Sequence, residues 1–387
     1  MIHYKNISLF VLLMFTFIGC TEIYTPKIDS SASALVVKGL ITDGAGPFTI
    51  NLSKATLFTS DSIYITNYVL GAKLTVNDNE NHAFPLTDAG NGNYILPTAF
   101  KAIIGYSYKL NIVTTDGNIY ESNPEILQSP LTYDSIRGFY SNESYLNPDN
   151  NPVTVNGADI RVDLFKSVSN SDSIPLCRFT SEITTQYYFT YFVPDSTSWH
   201  WYYFGWQNYA LDKNENITDD NSLTTSHFIK NHPLCFFPFE MVSYSFVPPV
   251  SVSPIVARYY LRFNQYTIDR DSYNFYKGAN NQLAASGKIF DPVTAQLYGN
   301  MKCLNNPSKI VLGLFEVSSV TQSACVVNYE FPVYPNNTYS ISVQKVSYID
   351  NIPSSGVYRY KVWTDFGSPQ PKDSAFNVIP YPIWWTH

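Results

Sequence analysis

Charge is scarce in this sequence. Lys, Arg, Asp and Glu make up 14% of its 387 residues, against 45% apolar. A chain so poor in charge is no solvated, disordered polymer; it has the material for a large core. Of the two signs, the basic one is scarcer, with 24 residues against 31 acidic and a net charge of −7. That balance leaves no electrostatic footprint for nucleic acid or for an anionic membrane surface. Histidine is rare too, and none of the 5 cysteines stands in a Cys-x-x-Cys pair, which argues against a redox dithiol or a zinc knuckle. The nearest approach to a metal set is His227, His232 and Cys235, whose spacing matches no standard zinc ligand pattern. The sequence holds no Gly-x-Ser-x-Gly elbow, no His-Glu-x-x-His and no phosphate loop. The chain therefore reads as non-catalytic, without metal or cofactor.

Long apolar runs are missing after residue 20. The one such run, Ile7 to Ile18, follows Lys5 and ends at Gly19-Cys20. It is shorter than the roughly twenty residues a spanning helix needs and has the form of a secretory h-region. Residues 1–19 read as a leader. Gly19-Cys20 resembles a bacterial lipobox, in which Cys20 becomes the lipidated first residue of the mature chain. Several acyl chains on one cysteine anchor a protein stably to a membrane. Outside the cytoplasm, the remaining Cys177, Cys235, Cys303 and Cys325 are expected to form up to two disulfides, with all three pairings open.

What the chain has in quantity is aromatic and β-branched residues, including 31 Tyr and 25 Phe. These favour strands, and the expected fold is all-β with few helices. Residues 20–34 are polar and Ser-rich, a tether. From Leu35 to residue 129, short strands alternate with turn signals such as Asp43-Gly44, Asn91-Gly92-Asn93 and Asp116-Gly117, the pattern of a β-sandwich. The segment Pro124 to Thr132 reads as a linker, and residues 130–387 as a larger β-rich domain of sandwich or barrel-like form. Within it, Ser141 to Asn156 is polar and reads as a loop. One helix is expected over Asp269 to Ser286, where Tyr273, Tyr276 and Leu283 fall near helical spacing.

The densest aromatic cluster is Trp199-His200-Trp201-Tyr202-Tyr203-Phe204-Gly205-Trp206. On a strand, Trp199, Trp201 and Tyr203 share one face and His200, Tyr202 and Phe204 the other. Such a strand is either buried on both faces or presents rings to a ligand or partner. Rings of this kind stack on sugars or anchor in a partner's pocket. Trp199, Trp201, Tyr203 and Trp206 are the candidate binding residues. Asp159 and Asp163 flank Arg161 on what reads as the solvated face of a strand, with Ile160, Val162 and Leu164 turned inward. Five Asp-Ser pairs, at Ser62, Ser135, Ser173, Ser196 and Ser374, precede a small or apolar residue. They resemble the O-glycosylation acceptor motif of exported Bacteroidetes proteins; the competing reading is a turn entering a strand.

From Asp271 to Ser319 the chain resembles a known family. Asp271-Ser272-Tyr273-Asn274-Phe275-Tyr276-Lys277, Ala285-Ser286-Gly287-Lys288-Ile289-Phe290-Asp291-Pro292, Gly299-Asn300-Met301 and Val311-Leu312-Gly313-Leu314-Phe315-Glu316-Val317-Ser318 are similar to the Bacteroidetes lipoproteins of domain of unknown function 4249. The lipidated cysteine, the short tether and the segment that follows it, Leu35-Val36-Val37-Lys38-Gly39-Leu40-Ile41-Thr42-Asp43, fit as well. The resemblance implies an N-terminal immunoglobulin-like sandwich before a β-rich domain. It also implies an outer-membrane lipoprotein found alongside TonB-dependent receptors, so the expected job is non-catalytic help to such a receptor in binding or uptake of a glycan or other nutrient; the alternative is a surface glycan binder or adhesin acting through the Trp199–Trp206 cluster. It brings no catalytic residues. It makes Gly287, Gly299 and Gly313 structural positions at turns or tight approaches.

Overall fold

The computed structural model describes residues 34–55, 67–146, 149, 151–165, 176–192, 199–211, 216–218, 228–239, 255–285, 297, 299–330, 340–346 and 356–363. The leader, Cys20 and nearly all of the tether lie outside them. The protein is mainly β, as its composition predicts, with one helix among the described residues.

The first core lies between two sheets. One carries β1 (Leu35–Thr42), β2 (Thr49–Lys54), β3 (Asn67–Tyr68), β6 (Thr87–Asp88) and β7 (Asn93–Ile95); the other carries β4 (Lys73–Asp78), β5 (Ala83–Pro85), β8 (Ser107–Val113), β9 (Ile119–Ser122) and β10 (Glu125–Ile126). Alternate residues point inward: Val37, Ile50 and Leu52 from the first sheet meet Leu74, Val76, Tyr108, Leu110 and Ile112 from the second. The period-2 pattern of these segments makes each strand apolar on one side, and stacking the two apolar sides removes both from water.

This core is not closed by the first third of the chain alone. β18 (Met301–Cys303) pairs with β9, and β19 (Val311–Glu330) pairs in parallel with β1 from Leu35↔Val311 to Thr42↔Ser318. Met301, Cys303, Val311, Phe315 and Val317 belong to the same apolar cluster. The expected boundary at residue 129/130 therefore does not separate two self-contained cores. The expected linker is itself packed: Glu125, Leu127 and Leu131 are buried.

β19 continues into the second half of the molecule. Its residues Ser319–Val327 pair antiparallel with β17 (Ile255–Thr267), which continues to β13 (Cys177–Phe192), β14 (Trp199–Ala210) and β21 (Gly356–Trp363). At the hand-over, where β1 ends, Asp43 Oδ1 accepts the Val320 N–H at 2.8 Å. A second core forms where this sheet faces β11 (Thr132–Leu146), β12 (Pro152–Phe165) and β16 (Phe228–Pro238), joined by β20 (Ser340–Val346) on β19. Phe179, Ile183, Leu261 and Phe263 on one side meet Ile160, Val162, Ile229 and Phe237 on the other.

The polar stretch read as a loop is a correction. Ser141–Leu146 and Pro152–Asn156 are the outer arm of the β11–β12 hairpin, in register from Ser141↔Gly157 to Leu146↔Pro152. Its polarity reflects an arm that carries exposed residues such as Asn142, Glu143 and Tyr145, not a break in pairing.

The helix α1 (Arg270–Ala285) falls where the spacing places it. Asp269 caps it, Oδ1 accepting the Ser272 N–H at 2.8 Å. Tyr273 is buried beside Leu176 and Ile268, with Tyr276 against them. Leu283, expected on the same stripe, is exposed instead.

The tightest backbone approach joins the two halves. Gly313 has φ +86°, and a Cβ there would stand 2.0 Å from the Val37 carbonyl oxygen; a Cβ on Gly299 would stand 1.5 Å from the Gly313 carbonyl oxygen. Both must be glycine for β1, β19 and the segment before β18 to pack. Gly287 lies outside the described residues.

Candidate functional site

The aromatic segment forms β14, an interior strand of the large sheet. It pairs with β13 from Phe192↔His200 to Glu182↔Ala210 and with β21 from Trp199↔Trp363 to Trp206↔Gly356, without a bulge on either side. Directly opposed residues share a face of a sheet. The register therefore builds two grids across three strands. One holds the rows Tyr191–Trp201–Lys361 and Phe189–Tyr203–Arg359, with Trp199 opposite Trp363. The other holds Phe192–His200–Val362, Thr190–Tyr202–Tyr360 and Tyr188–Phe204–Tyr358, followed by Gln186–Trp206–Gly356. Trp199, Trp201 and Tyr203 stand at alternate positions of β14, on one face of the strand. Trp206 falls on the opposite face, because an uninterrupted pleat keeps even and odd positions apart over the whole strand. The contribution of β21 has no local signal; only pairing brings Arg359 and Lys361 beside the cluster.

Among the described residues, three clusters of buried polar groups bear on chemistry. In the first, Arg178 and Glu316 make a buried ion pair, Arg178 Nη2 standing 3.1 and 3.2 Å from the two carboxylate oxygens. Ser318 donates to Glu316 at 2.7 Å, Tyr276 donates to it from α1, and the guanidinium lies over the rings of Tyr266 and Tyr276. Two low-dielectric charges survive here because each is held by the other and by added hydrogen bonds.

The second cluster is at the N-terminus of α1. Glu125 is 1% exposed, and its Oε1 accepts the Asn300 amide at 2.6 Å. Its Oε2 has no N–H or O–H donor and faces the Asp269 carboxyl. Burial, reinforced by Asp269 and then Asp271, raises the Glu125 carboxyl to about 10, so it carries its proton at neutral pH. Asp271 in turn accepts from the Asn123 amide at 2.9 Å.

Asp163 is the third centre. Ile160, Val162 and Leu164 turn inward as expected, but Asp163 is also buried, at 7% exposure. It accepts from Ser135 Oγ at 2.8 Å, from Arg137 at 2.7 Å and from the Asn231 N–H at 2.7 Å. Burial alone would raise this carboxyl; the Asn231, Ser135 and Arg137 donors outweigh it and hold it below its ordinary value. Asp163 keeps its place on the Arg161 face, opposite Ser135, and is covered there by Arg137 and by Asn231, which lies at φ +55° where the β12–β16 register shifts between Val162 and Leu164.

Ser135 is thus engaged by Asp163. The other four Asp-Ser sites, Ser62, Ser173, Ser196 and Ser374, lie outside the described residues, as does His227. His232 belongs to β16. It is buried, hydrogen-bonded to Asn216 Oδ1 at 2.9 Å and stacked on Phe179. No group of three or more His, Cys, Asp or Glu suited to a metal occurs among the described residues.

Cys177, Cys235, Cys303 and Cys325 are not joined to one another in the expected disulfides. Cys177 stands opposite Thr267 and Cys325 opposite Leu261, on either side of β17 and displaced along it by six residues. That offset is about 20 Å of strand, beyond the ~4.4–6.8 Å between the Cα atoms of a disulfide. Cys303 lies in the first core and Cys235 at the rim of the second. Burial pushes the Cys325 thiol up to about 12 and Cys177 higher, which makes both inert.

A family model described as a domain of unknown function (DUF4249) matches residues 21–324. The chain belongs to this family. The match covers both cores up to Ala324, within the segment of β19 that pairs with β17, so the DUF4249 unit contains the β1–β19 pairing that unites the halves. β21, which completes the aromatic grids, lies beyond the matched residues. Comparison with curated proteins and with solved structures gave no match.

Proposed function

We propose that this DUF4249 protein is a non-catalytic outer-membrane lipoprotein, anchored through Cys20 at the cell surface, that assists a TonB-dependent receptor in nutrient binding or uptake. The single observation that carries a binding role is the bulge-free register of β13, β14 and β21, which gathers Trp199, Trp201, Tyr203, Trp363 and their aromatic neighbours in one sheet. Aromatic side chains give large contact area at low entropic cost and favour binding surfaces. The leader and the Gly19-Cys20 junction support the anchoring. The three buried polar clusters support a structural use of the polar groups: each joins strands or caps a helix, and none requires a reacting ligand.

Affinity purification of the tagged, lipidated protein from native outer membranes in mild detergent tests this reading. One TonB-dependent receptor recovered in near-stoichiometric amount supports it. Recovery of the protein alone overturns it in favour of a second reading, a self-sufficient surface glycan binder or adhesin, which the same aromatic register supports because rings stack on sugar faces.

A further inference from the structure

The chain enters the first sandwich at the end remote from the second core. β1 and β19 run parallel from Leu35↔Val311 to Thr42↔Ser318, and β19 meets β17 of the second core only from Ser319 onward. The tether therefore joins the sandwich one β1 length, about 26 Å of strand, from that hand-over. Three connections among the described residues meet at this end. The β8–β9 turn reaches the β18–β19 segment, where Lys309 Nζ stands 3.5 Å from Asp116 and Asn305 Oδ1 accepts the Ile119 N–H at 3.0 Å. The β3–β4 segment lies against the same turn, since a Cβ on Gly71 would stand 3.3 Å from Thr115 Cγ2. Ile310 leads directly into Val311, the partner of Leu35 at the point of entry.

This end carries apolar side chains on its outside. Tyr68, Leu70, Val113, Ile119, Leu304 and Ile310 are between 36% and 55% exposed. Three of them form a row on the outer face of the second sheet: Val113 stands opposite Ile119, and the Leu304 N–H donates to the Ile119 carbonyl at 2.7 Å. One row further from the tether the same face is polar, with Thr75, Asn111, Glu121 and Lys302 in register. A face wholly in water has no use for an apolar last row. Lys54, Lys73 and Lys309 are exposed around the apolar set, while Asp116 is engaged by Thr114 and Lys309, and Asp88 by the Gly71 and Gly90 N–H groups. Residues 56–66, which join β2 to β3 at this end, lie outside the described residues and supply none of these groups. The opposite end of the sandwich also exposes Ile103, Ile104 and Ile126, but the tether does not enter there.

We infer that this end of the first sandwich rests on the bilayer that holds Cys20, with Val113, Ile119, Leu304 and their apolar neighbours at the headgroup boundary and Lys54, Lys73 and Lys309 among the headgroups. Residues 20–33 decide which end meets the lipid. A segment of that length reaches at most about 50 Å when fully extended, so an anchored Cys20 keeps residue 34 close to the surface at a high effective concentration. The acyl chains already hold the protein there; the apolar row has only to orient it. Lysines at the border lay their stems along the apolar row and keep their ammonium groups in the polar layer. The second core then stands on the side away from the lipid. The inference deepens the anchored-lipoprotein reading by giving the protein an orientation on its membrane, and it rests on that reading.

The test is reconstitution of the full lipidated chain in phosphatidylcholine vesicles in which a fraction of the lipid carries a nitroxide quencher. A fluorophore is attached at Leu304→Cys or, at the opposite end, at Ile104→Cys, in a Cys235→Ala background because Cys235 is less buried than Cys177, Cys303 and Cys325. Each protein is checked for an unchanged thermal transition, and flotation with the vesicles reports the anchor by itself. Expected is roughly threefold stronger quenching at position 304 than at 104, with the ratio falling toward one when Ile119→Glu or Val113→Glu is added and flotation unchanged. Equal quenching at the two positions, or a ratio that neither Glu variant lowers, overturns the inference; if the protein still floats, the anchor reading stands. Protein that does not float overturns the anchor reading and the inference with it. Equal quenching together with loss of receptor co-purification in Ile119→Glu overturns the inference in favour of a receptor interface at this end.

Discussion

Glu125 shows how far a single side chain can depart from its usual chemistry. Its carboxyl is buried against Asp269 and held near 10, whereas an unfolded chain releases that proton near its ordinary value of 4.5. The sign follows from linkage: between those values the folded state holds a proton that the unfolded state has lost, so stability falls as pH rises. Glu125→Gln keeps the shape and the acceptor for Asn300 while removing the titration. It is expected to match wild type at pH 4 and to exceed it increasingly toward pH 8, by up to about 1.4 kcal/mol per pH unit. Chemical denaturation at several pH values measures this, and parallel curves for the two proteins would rule it out. The Arg178–Glu316 pair makes a second residue-scale case. Arg178→Met leaves a carboxylate buried without its cation and is expected to cost about 3–5 kcal/mol, while Arg178→Met/Glu316→Leu should recover most of the loss. Both residues are unremarkable in the linear chain, since their partners lie 138 positions apart.

Among the elements, β14 was legible only in part. The strand character of Trp199–Ala210 and its alternation were visible, because period-2 patterning is local. What lies beside it was not: pairing with β21 joins residues 150 or more positions apart, and no local rule records that. Alternation yields an element-scale prediction. If ligand occupies one face, Trp199→Ala and Trp201→Ala weaken binding and Trp206→Ala, on the other face, does not. Equal losses of receptor co-purification for all three would contradict engagement of one face. The helix was legible to within a residue at either end because Asp269 is a local cap and Tyr273 and Tyr276 a local stripe. The hairpin arm Ser141–Asn156 was misread because a solvent-facing strand pair lacks the apolar alternation that marks strands.

At the scale of the whole molecule, β19 binds the two cores together. Its first half closes the N-terminal sandwich beside β1 and its second half is the centre of the second core. A fragment of residues 34–129 would lack the parallel partner of β1 and the buried Met301, Cys303, Val311, Phe315 and Val317. It is expected not to fold as an independent domain, and the complete chain is expected to unfold in a single transition in which both cores are lost together. A cooperative melt of the excised fragment, followed by calorimetry or near-ultraviolet circular dichroism, would contradict this. The family match over residues 21–324 is consistent with such a unit, since it ends beyond the β1–β19 segment and does not stop at residue 129.

The sequence by itself determined the class of fold, most strand positions, the helix and the candidate aromatic cluster. These follow from propensity, capping and periodicity, which act over a few residues. Tertiary structure alone decided that the linker is buried, that the cysteines stand apart, that Asp163 is covered on its strand face, and that Arg359 and Lys361 stand in register with Tyr203 and Trp201. Each of these depends on which distant strands pair and in what register. That choice is made by whole apolar faces finding cover together, and no short window of sequence contains it.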